Sequence, residues 1–560
     1  MTDQTVPRPG GRILVDGLEA QGVDHVFCVP GESYLAVLDA LYDSPIENTV
    51  CRQEGGAAMM AEAYGKVTGR PGICFVTRGP GATNASAGVH IAAHDSTPMI
   101  LFIGQVGRAM RGREAFQEID YRQMYGGIAK WVVEIDDPAR IPESLHRAFA
   151  TAMAGRPGPV VVALPEDMLT EEAAVADVPY VEEVPVAPPA AALSELERLL
   201  GEAERPLVIA GGARWSPRGV DDLRRFAERF DLPVGTSFRR QMLFDQTHDN
   251  YAGDVGLGPN PALCAHIRQA DLVLLIGGRM SESPSQAYTL LDVPTPRQKL
   301  VHVHPGAEEL GKVYAPTLAI NADPASFAAA AAALEPPVTI PWREHTRQAN
   351  AGYHDWSEAG PENPGPVQYA EIMCWLRDRL PADAIVCNGA GNFAAWVHRF
   401  YRFRKYGTQL AATSGSMGYG TPAAVGAKRI FPDRTVIAFT GDGDFLMTGQ
   451  ELATAVQYDL PVIIVVINNS MYGTIRMHQE HDYPGRVSGT GLDNPDFKTL
   501  AAGYGAHGER VERTEDFAPA FERAAAAGRP ALIEVMLDPD AITPTTTLSA
   551  IREKAKESVA

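Results

Sequence analysis

Short, continuous runs of apolar and mostly β-branched residues recur along the chain: GICFVT (72–77), MILFIG (99–104), PVVVALP (159–165), PLVIAGG (206–212), LVLLIGG (272–278), AIVCNG (384–389), TVIAFTG (435–441) and PVIIVVINN (461–469). Longer segments with helical spacing, rich in Ala, Leu and Glu, lie between them. Strands that are apolar throughout, rather than at every second position, are buried on both faces, which predicts parallel sheets covered by helices. Pro-rich stretches at 176–193 and 335–366 read as linkers. The predicted fold class is α/β, with three doubly wound parallel-sheet domains at 8–178, 190–335 and 365–545, the central one Rossmann-like.

The first and last thirds look alike. Residues 59–105 run helix, strand, Gly-x-Gly turn, helix, Pro, strand, and residues 421–469 repeat that order. The offsets agree: Gly79 to Gly441 is 362, Pro98 to Pro461 is 363, and Gly31 to Gly391 is 360. Two similar domains with different turn residues suggest one ligand held between them.

Composition narrows the ligand. The chain has 560 residues, and its net charge of −20 comes from 69 acids and 49 bases without a block of like charge. That argues against nucleic acid or an anionic membrane surface as partner. There is no secretory leader pattern and no apolar run of the ~18 residues a membrane span needs, so the expected location is the cytoplasm. Six scattered cysteines without a Cys-x-x-Cys spacing read as buried thiols. Small molecules remain.

In open parallel sheets ligands sit beyond the carboxyl ends of strands. TGDGDF (440–445) ends one predicted strand and INNSMYG (467–473) the next. Asp442 and Asn469 would supply hard oxygen ligands side by side, suited to a Mg²⁺ ion carrying phosphate oxygens. Glycines flank Asp442, and a helix predicted from about Leu446 would aim its N-terminal N–H groups at the same anion.

With these residues in hand the chain resembles the thiamine-diphosphate enzymes, whose mark is Gly-Asp-Gly followed some 25 residues later by Asn-Asn. The resemblance implies that Asp442, the Asn469 side chain and the Met471 carbonyl hold Mg²⁺ on the cofactor diphosphate. It makes the first domain pyrimidine-binding and the last diphosphate-binding. Gly391, Asn392 and Phe393 fall where the family grips the diphosphate from the other side. Gly441, Gly443, Tyr472 and Gly473 complete that wall, with Asp444 as polar scaffolding near the cofactor. Glu54, in TVCRQEGGAAMM (49–60), matches the glutamate that protonates the aminopyrimidine ring, with Gln53 at the family's His position. Gly31, Pro80 and Asn84 would face the cofactor from the same domain.

Within that family the chain is most similar to acetolactate synthases, through TRGPGATN (77–84), AFQE (115–118), GSMGYGTPAA (415–424) and MTGQEL (447–452). Met417 would be the wedge that bends the cofactor, and Phe116, Gln117, Met477 and His478 would lie near the substrate, with Gln117 counted among the catalytic residues. The implied reaction is decarboxylation of a 2-oxo acid, pyruvate first, and ligation of the remaining unit to a carbonyl acceptor. The implied assembly is a homodimer at least, with a homotetramer expected, because family sites form between the first domain of one subunit and the last of another.

Two departures matter. His478 stands where anabolic synthases carry a Trp favouring 2-ketobutyrate, which leaves homoacetolactate formation, or another acceptor, open. Those synthases also bind a structural FAD through an acid-rich strand end; here the matching stretch is VHVHP, with His302 and His304 replacing both acids, so FAD is doubtful. The histidine pair itself reads as a polar strand face rather than a metal site. The alternatives are a 2-hydroxyacyl-CoA lyase, an aldehyde lyase, a 2-oxo acid decarboxylase and a non-catalytic regulatory subunit, the last opposed by the presence of Glu54. A remote one is an NAD-dependent dehydrogenase read from GAGNFA (389–394), which lacks the ribose-binding acid expected about 20 residues on.

Overall fold

The structure is a computed structural model describing residues 6–358 and 360–559. Three six-stranded sheets form three domains, and within each sheet all strand pairs are parallel. The first contains β1 (His25–Cys28), β2 (Glu47–Val50), β3 (Gly72–Val76), β4 (Met99–Gln105), β5 (Trp131–Glu134) and β6 (Pro159–Pro165), in the order β2-β1-β3-β4-β6-β5. The central sheet contains β7 (Pro206–Ala210), β8 (Val234–Ser237), β9 (Tyr251–Val255), β10 (Leu272–Ile276), β11 (Lys299–His304) and β12 (Leu318–Asn321), in the order β9-β8-β7-β10-β11-β12. That is the doubly wound dinucleotide-fold order.

The last sheet contains β13 (Ile385–Asn388), β14 (Gln409–Ala411), β15 (Val436–Gly441), β16 (Ile463–Asn468), β17 (His507–Val511) and β18 (Ala531–Met536). Its order, β14-β13-β15-β16-β18-β17, repeats that of the first sheet strand for strand. The inner strands β3, β4, β6, β15 and β16 are buried along their whole length, as continuously apolar runs require. Five of the six cysteines are buried, Cys374 is half-buried, and none is paired in a disulfide. No described helix is long and apolar enough to cross a membrane.

The chain divides into two compact units. One comprises residues 1–184 together with 421–432 and 448–460; the other comprises 185–420, 433–447 and 461–560. In the first unit, the helix Glu54–Thr68 starts behind Gln53, whose side chain accepts from the Gly56 N–H, and stops at Gly69 in the left-handed region (φ 73°). The residues from the last third belong to this unit by direct packing: a Cβ on Gly426 would come within 3.2 Å of the Met60 backbone.

Candidate functional site

In the second unit the carboxyl ends of β13, β15 and β16 open into a cleft of about 300 Å³. Its walls are formed by Ala390–Phe393, Gly415 and Met417, Gly441–Asp444, and Asn469 with Met471–Ile475. Gly441 pairs with Ile467 across β15 and β16, so Asp442 and Asn469 follow neighbouring strand ends. The residues singled out in the last third as cofactor ligands therefore share one cavity. The helix after β15 begins at Asp442 itself, earlier than the expected start near Leu446, and runs only to Thr448. Gly-Asp-Gly-Asp enters helix directly because Asp444 finds its partners off the helix.

Those partners define the cavity. Asp444, 2% exposed, accepts from the Gly418 N–H at 2.6 Å, the Ala390 N–H at 3.3 Å and the Thr440 hydroxyl at 2.5 Å. One carboxylate thus ties three of the four walls together. Burial pushes it up to about 6, against those donors and the nearby Arg239 charge. A Cβ on Gly389 would overlap this carboxylate, and one on Gly443 would lie 2.5 Å from the Tyr472 ring.

Asp442 is also buried, and burial raises its carboxyl above the usual range. It accepts from Asn494 Nδ2 at 2.7 Å, and the same amide donates to Asn468 Oδ1 at 3.0 Å. Asn494 Oδ1 is buried without a partner, which leaves an unused acceptor beside the carboxylate. Among the described residues no three His, Cys, Asp or Glu side chains converge as a metal cluster. A cation here would rest on one carboxylate, one amide oxygen and one backbone carbonyl, a hard-oxygen set that fits Mg²⁺ sharing phosphate oxygens.

Two contributors lie beyond the motifs. Arg239, from the central domain, has a left-handed backbone (φ 56°) and donates to the carbonyls of Gly389 and Ala412, the former at 2.9 Å. Among the described residues it is the one cation lining the cleft. Trp396 lines it too, with a buried, unpartnered indole N–H. Neither residue gave a sequence signal, and only the left-handed turn after β8 singles out Arg239.

Of the proposed substrate residues in this unit, Met477 lies near the cleft wall, with its sulfur 3.4 Å from Asn392 Nδ2, while Thr474 donates to Asn392 Oδ1 at 2.9 Å. His478 is exposed and is not brought to the cleft lining. In the central domain, His302 and His304 are each 3% exposed, so the expected polar strand face is a buried one. His302 Nε2 lies 2.9 Å from the Gly278 carbonyl, and His304 Nδ1 accepts from the Gly306 N–H at 3.0 Å. With one ring nitrogen of each held against backbone and no carboxylate in either place, these residues differ from an FAD site of the acid-rich kind.

In the first unit, Glu54 is half-buried at the start of its helix, and Asn84 Nδ2 donates to its Oε2 at 3.0 Å. A Cβ on Gly81 would approach Glu54 Oε1 to 3.4 Å, while Gly31 packs on Thr77 and Pro80 opens the helix that carries Asn84. Phe116 is 71% exposed. Gln117 has a left-handed backbone (φ 66°) and packs on Gly79, where a Cβ would lie 2.7 Å from the Gln117 carbonyl. Glu54, Asn84 and Gly81 thus form one polar corner.

Family models of the thiamine pyrophosphate enzymes match in chain order: the N-terminal TPP binding domain over residues 8–124, the central domain over 193–331, and the C-terminal TPP binding domain over 389–535. The chain belongs to the thiamine pyrophosphate enzyme family. It is 34% identical to the acetolactate synthase large subunit of Corynebacterium glutamicum, over 95% of this chain and 87% of that one. It is 31% identical to the acetolactate synthase isozyme 2 large subunit of Escherichia coli K12, over 94% of this chain and 95% of that one. A probable acetolactate synthase large subunit of Methanocaldococcus jannaschii is also 31% identical, over 95% and 92% of the two chains.

Proposed function

We propose that the protein is a thiamine-diphosphate- and Mg²⁺-dependent carboligase of the acetolactate synthase type, which decarboxylates pyruvate or a close 2-oxo acid and joins the remaining unit to a second carbonyl compound. The observation that carries the reading is the single cleft shared by GAGN, GSM, GDGD and NNSMYG, in a chain whose relatives are acetolactate synthase subunits.

When bound, the cofactor supplies a carbon nucleophile that adds to the 2-oxo group and then accepts the electron pair left by departing carbon dioxide. The chain's own residues would do the rest. Asp442, Asn469 and the Met471 carbonyl would hold Mg²⁺ on the diphosphate. Gly391, Asn392, Phe393, Tyr472 and Gly473 would enclose the diphosphate, and Met417 would set the bend between its rings. Glu54, steadied by Asn84, would hold a proton at the aminopyrimidine nitrogen, while Gln117 and Phe116 would face the substrate. We read the working unit as a homodimer or homotetramer of cytoplasmic location, without flavin, and the domain limits as 8–178, 190–335 and 365–545.

The test is incubation of purified protein with thiamine diphosphate, Mg²⁺ and pyruvate, without flavin, beside Glu54→Gln. Acetolactate and carbon dioxide from the parent are expected, with a loss of at least about 100-fold in the variant, the scale of a missing general acid. Cofactor binding without pyruvate turnover would set the acetolactate reading aside and bring aldehyde and acyl-CoA substrates forward.

A further inference from the structure

The first compact unit holds a carboxylate that the reading above does not use. Glu451 opens the helix Glu451–Gln457 and is completely buried. An ionised carboxylate in that position needs donors, and it has them. The backbone N–H of Arg52 reaches its two oxygens at 3.1 and 3.3 Å, the backbone N–H of Gln53 reaches Oε1 at 3.0 Å, and the Thr454 hydroxyl reaches Oε2 at 2.6 Å. On its far side stands Gly56, where a Cβ would come within 2.5 Å of Oε1.

Arg52 and Gln53 are the two residues before Glu54. Gln53 is extended (φ −156°, ψ 141°) and its side chain caps the helix that Glu54 starts. Charge-assisted bonds from two consecutive N–H groups to one buried carboxylate fix the backbone more firmly than neutral acceptors would. The same helix docks a second time nearby: the Tyr458 hydroxyl accepts from the Val50 N–H at 2.8 Å and donates to the Asn48 carbonyl at 3.3 Å. The whole stretch leading to Glu54 therefore hangs on residues 451–458.

We infer that Glu451 is a positioning residue for Glu54: by anchoring the Arg52 and Gln53 amides against the open face of Gly56, it holds the Glu54 carboxylate in the orientation that proton transfer to the cofactor requires. This rests on the assignment of Glu54 as the proton-holding group. A glutamine at 451 keeps the volume but replaces one acceptor oxygen by an N–H₂ that confronts other donors. Gly56→Ala attacks the same contact from the opposite side, with every carboxylate intact.

The experiment compares the parent with Glu451→Gln, Gly56→Ala, Glu54→Gln and the double variant Glu54→Gln/Glu451→Gln. In the cofactor-free protein, amide hydrogen exchange at Arg52 and Gln53 should be at least about 10-fold faster in Glu451→Gln and Gly56→Ala, the scale of one lost charge-assisted bond. With cofactor and Mg²⁺ bound, exchange of the cofactor C2 proton into D₂O and kcat should each fall about 10- to 100-fold in both variants, with KM for pyruvate within about 3-fold, as misplacement of a catalytic group predicts. The double variant should be no slower than Glu54→Gln alone. Unchanged C2 exchange in Glu451→Gln and Gly56→Ala beside a crippled Glu54→Gln would overturn the positioning role and leave the Glu54 assignment standing; so would multiplied losses in the double variant. Full-speed C2 exchange in Glu54→Gln would overturn both, whatever the amide result.

Discussion

At the scale of single residues, the cleft depends on groups whose partners lie far away in sequence. Asp444 holds amides from Ala390 and Gly418, and Gly389 leaves room for it. Gly389→Ala should therefore displace the carboxylate, costing about 1–3 kcal/mol of stability as overpacking does and weakening thiamine diphosphate binding by at least about 10-fold. Fluorescence titration of the cofactor beside a urea melt checks it; unchanged affinity would deny Asp444 its organising part. Asp442 and Asn469, which the structure brings to one cleft, were legible in the sequence because each sits in a short motif at the end of a strand. Asn494 and Arg239 were not: the first bonds Asp442 and the second lines the cleft, both from loops outside the motifs, and an isolated Asn or Arg carries no spacing to read.

At the scale of elements, the continuously apolar runs identified the inner strands, since burial on both faces leaves no alternative pattern. The short helix after β15 was placed too late, because its first turn carries two acids and a glycine, a composition that reads as loop until Asp444 is seen bonded to other walls. β11 shows how burial changes the meaning of a pair of side chains. Spacing made His302 and His304 a polar face, yet the neighbouring strands and the turn at Gly278 bury both. Burial lowers His304 to about 4 from its ordinary 6.5. A neutral histidine that must be charged on unfolding adds stability above about pH 6.5, and that contribution drains away as pH falls toward 4. The span of the shift corresponds to about 3 kcal/mol. Urea denaturation at pH 7 and pH 4.5 should show a larger loss for the parent than for His304→Gln, and equal losses would refute it.

At the scale of the whole molecule, the duplication seen as three agreeing offsets became two sheets of identical strand order. What stayed out of reach of the sequence was the division into units. No linker marks residues 421–432 and 448–460 as members of the first unit, because their membership is decided by contacts: Glu451 with Arg52 and Gln53, Tyr458 with Val50, Arg429 with Glu47 at 2.6 Å. A fragment of residues 1–184 therefore lacks part of its own packing. It should bind a hydrophobic dye and melt without a sharp transition, whereas the full chain melts cooperatively; a sharply melting fragment would show that the two later segments are dispensable.

The same membership has a bearing on synthesis. The ribosome releases the first sheet early, but the segments that finish its unit emerge only once residue 460 has left the exit tunnel. At about 5–20 residues per second the wait from residue 184 is roughly 15–55 s. During that interval the apolar surface around Met60 and the amides ahead of Glu54 lack their native cover, so the newborn N-terminal domain presents surface for a chaperone to shield.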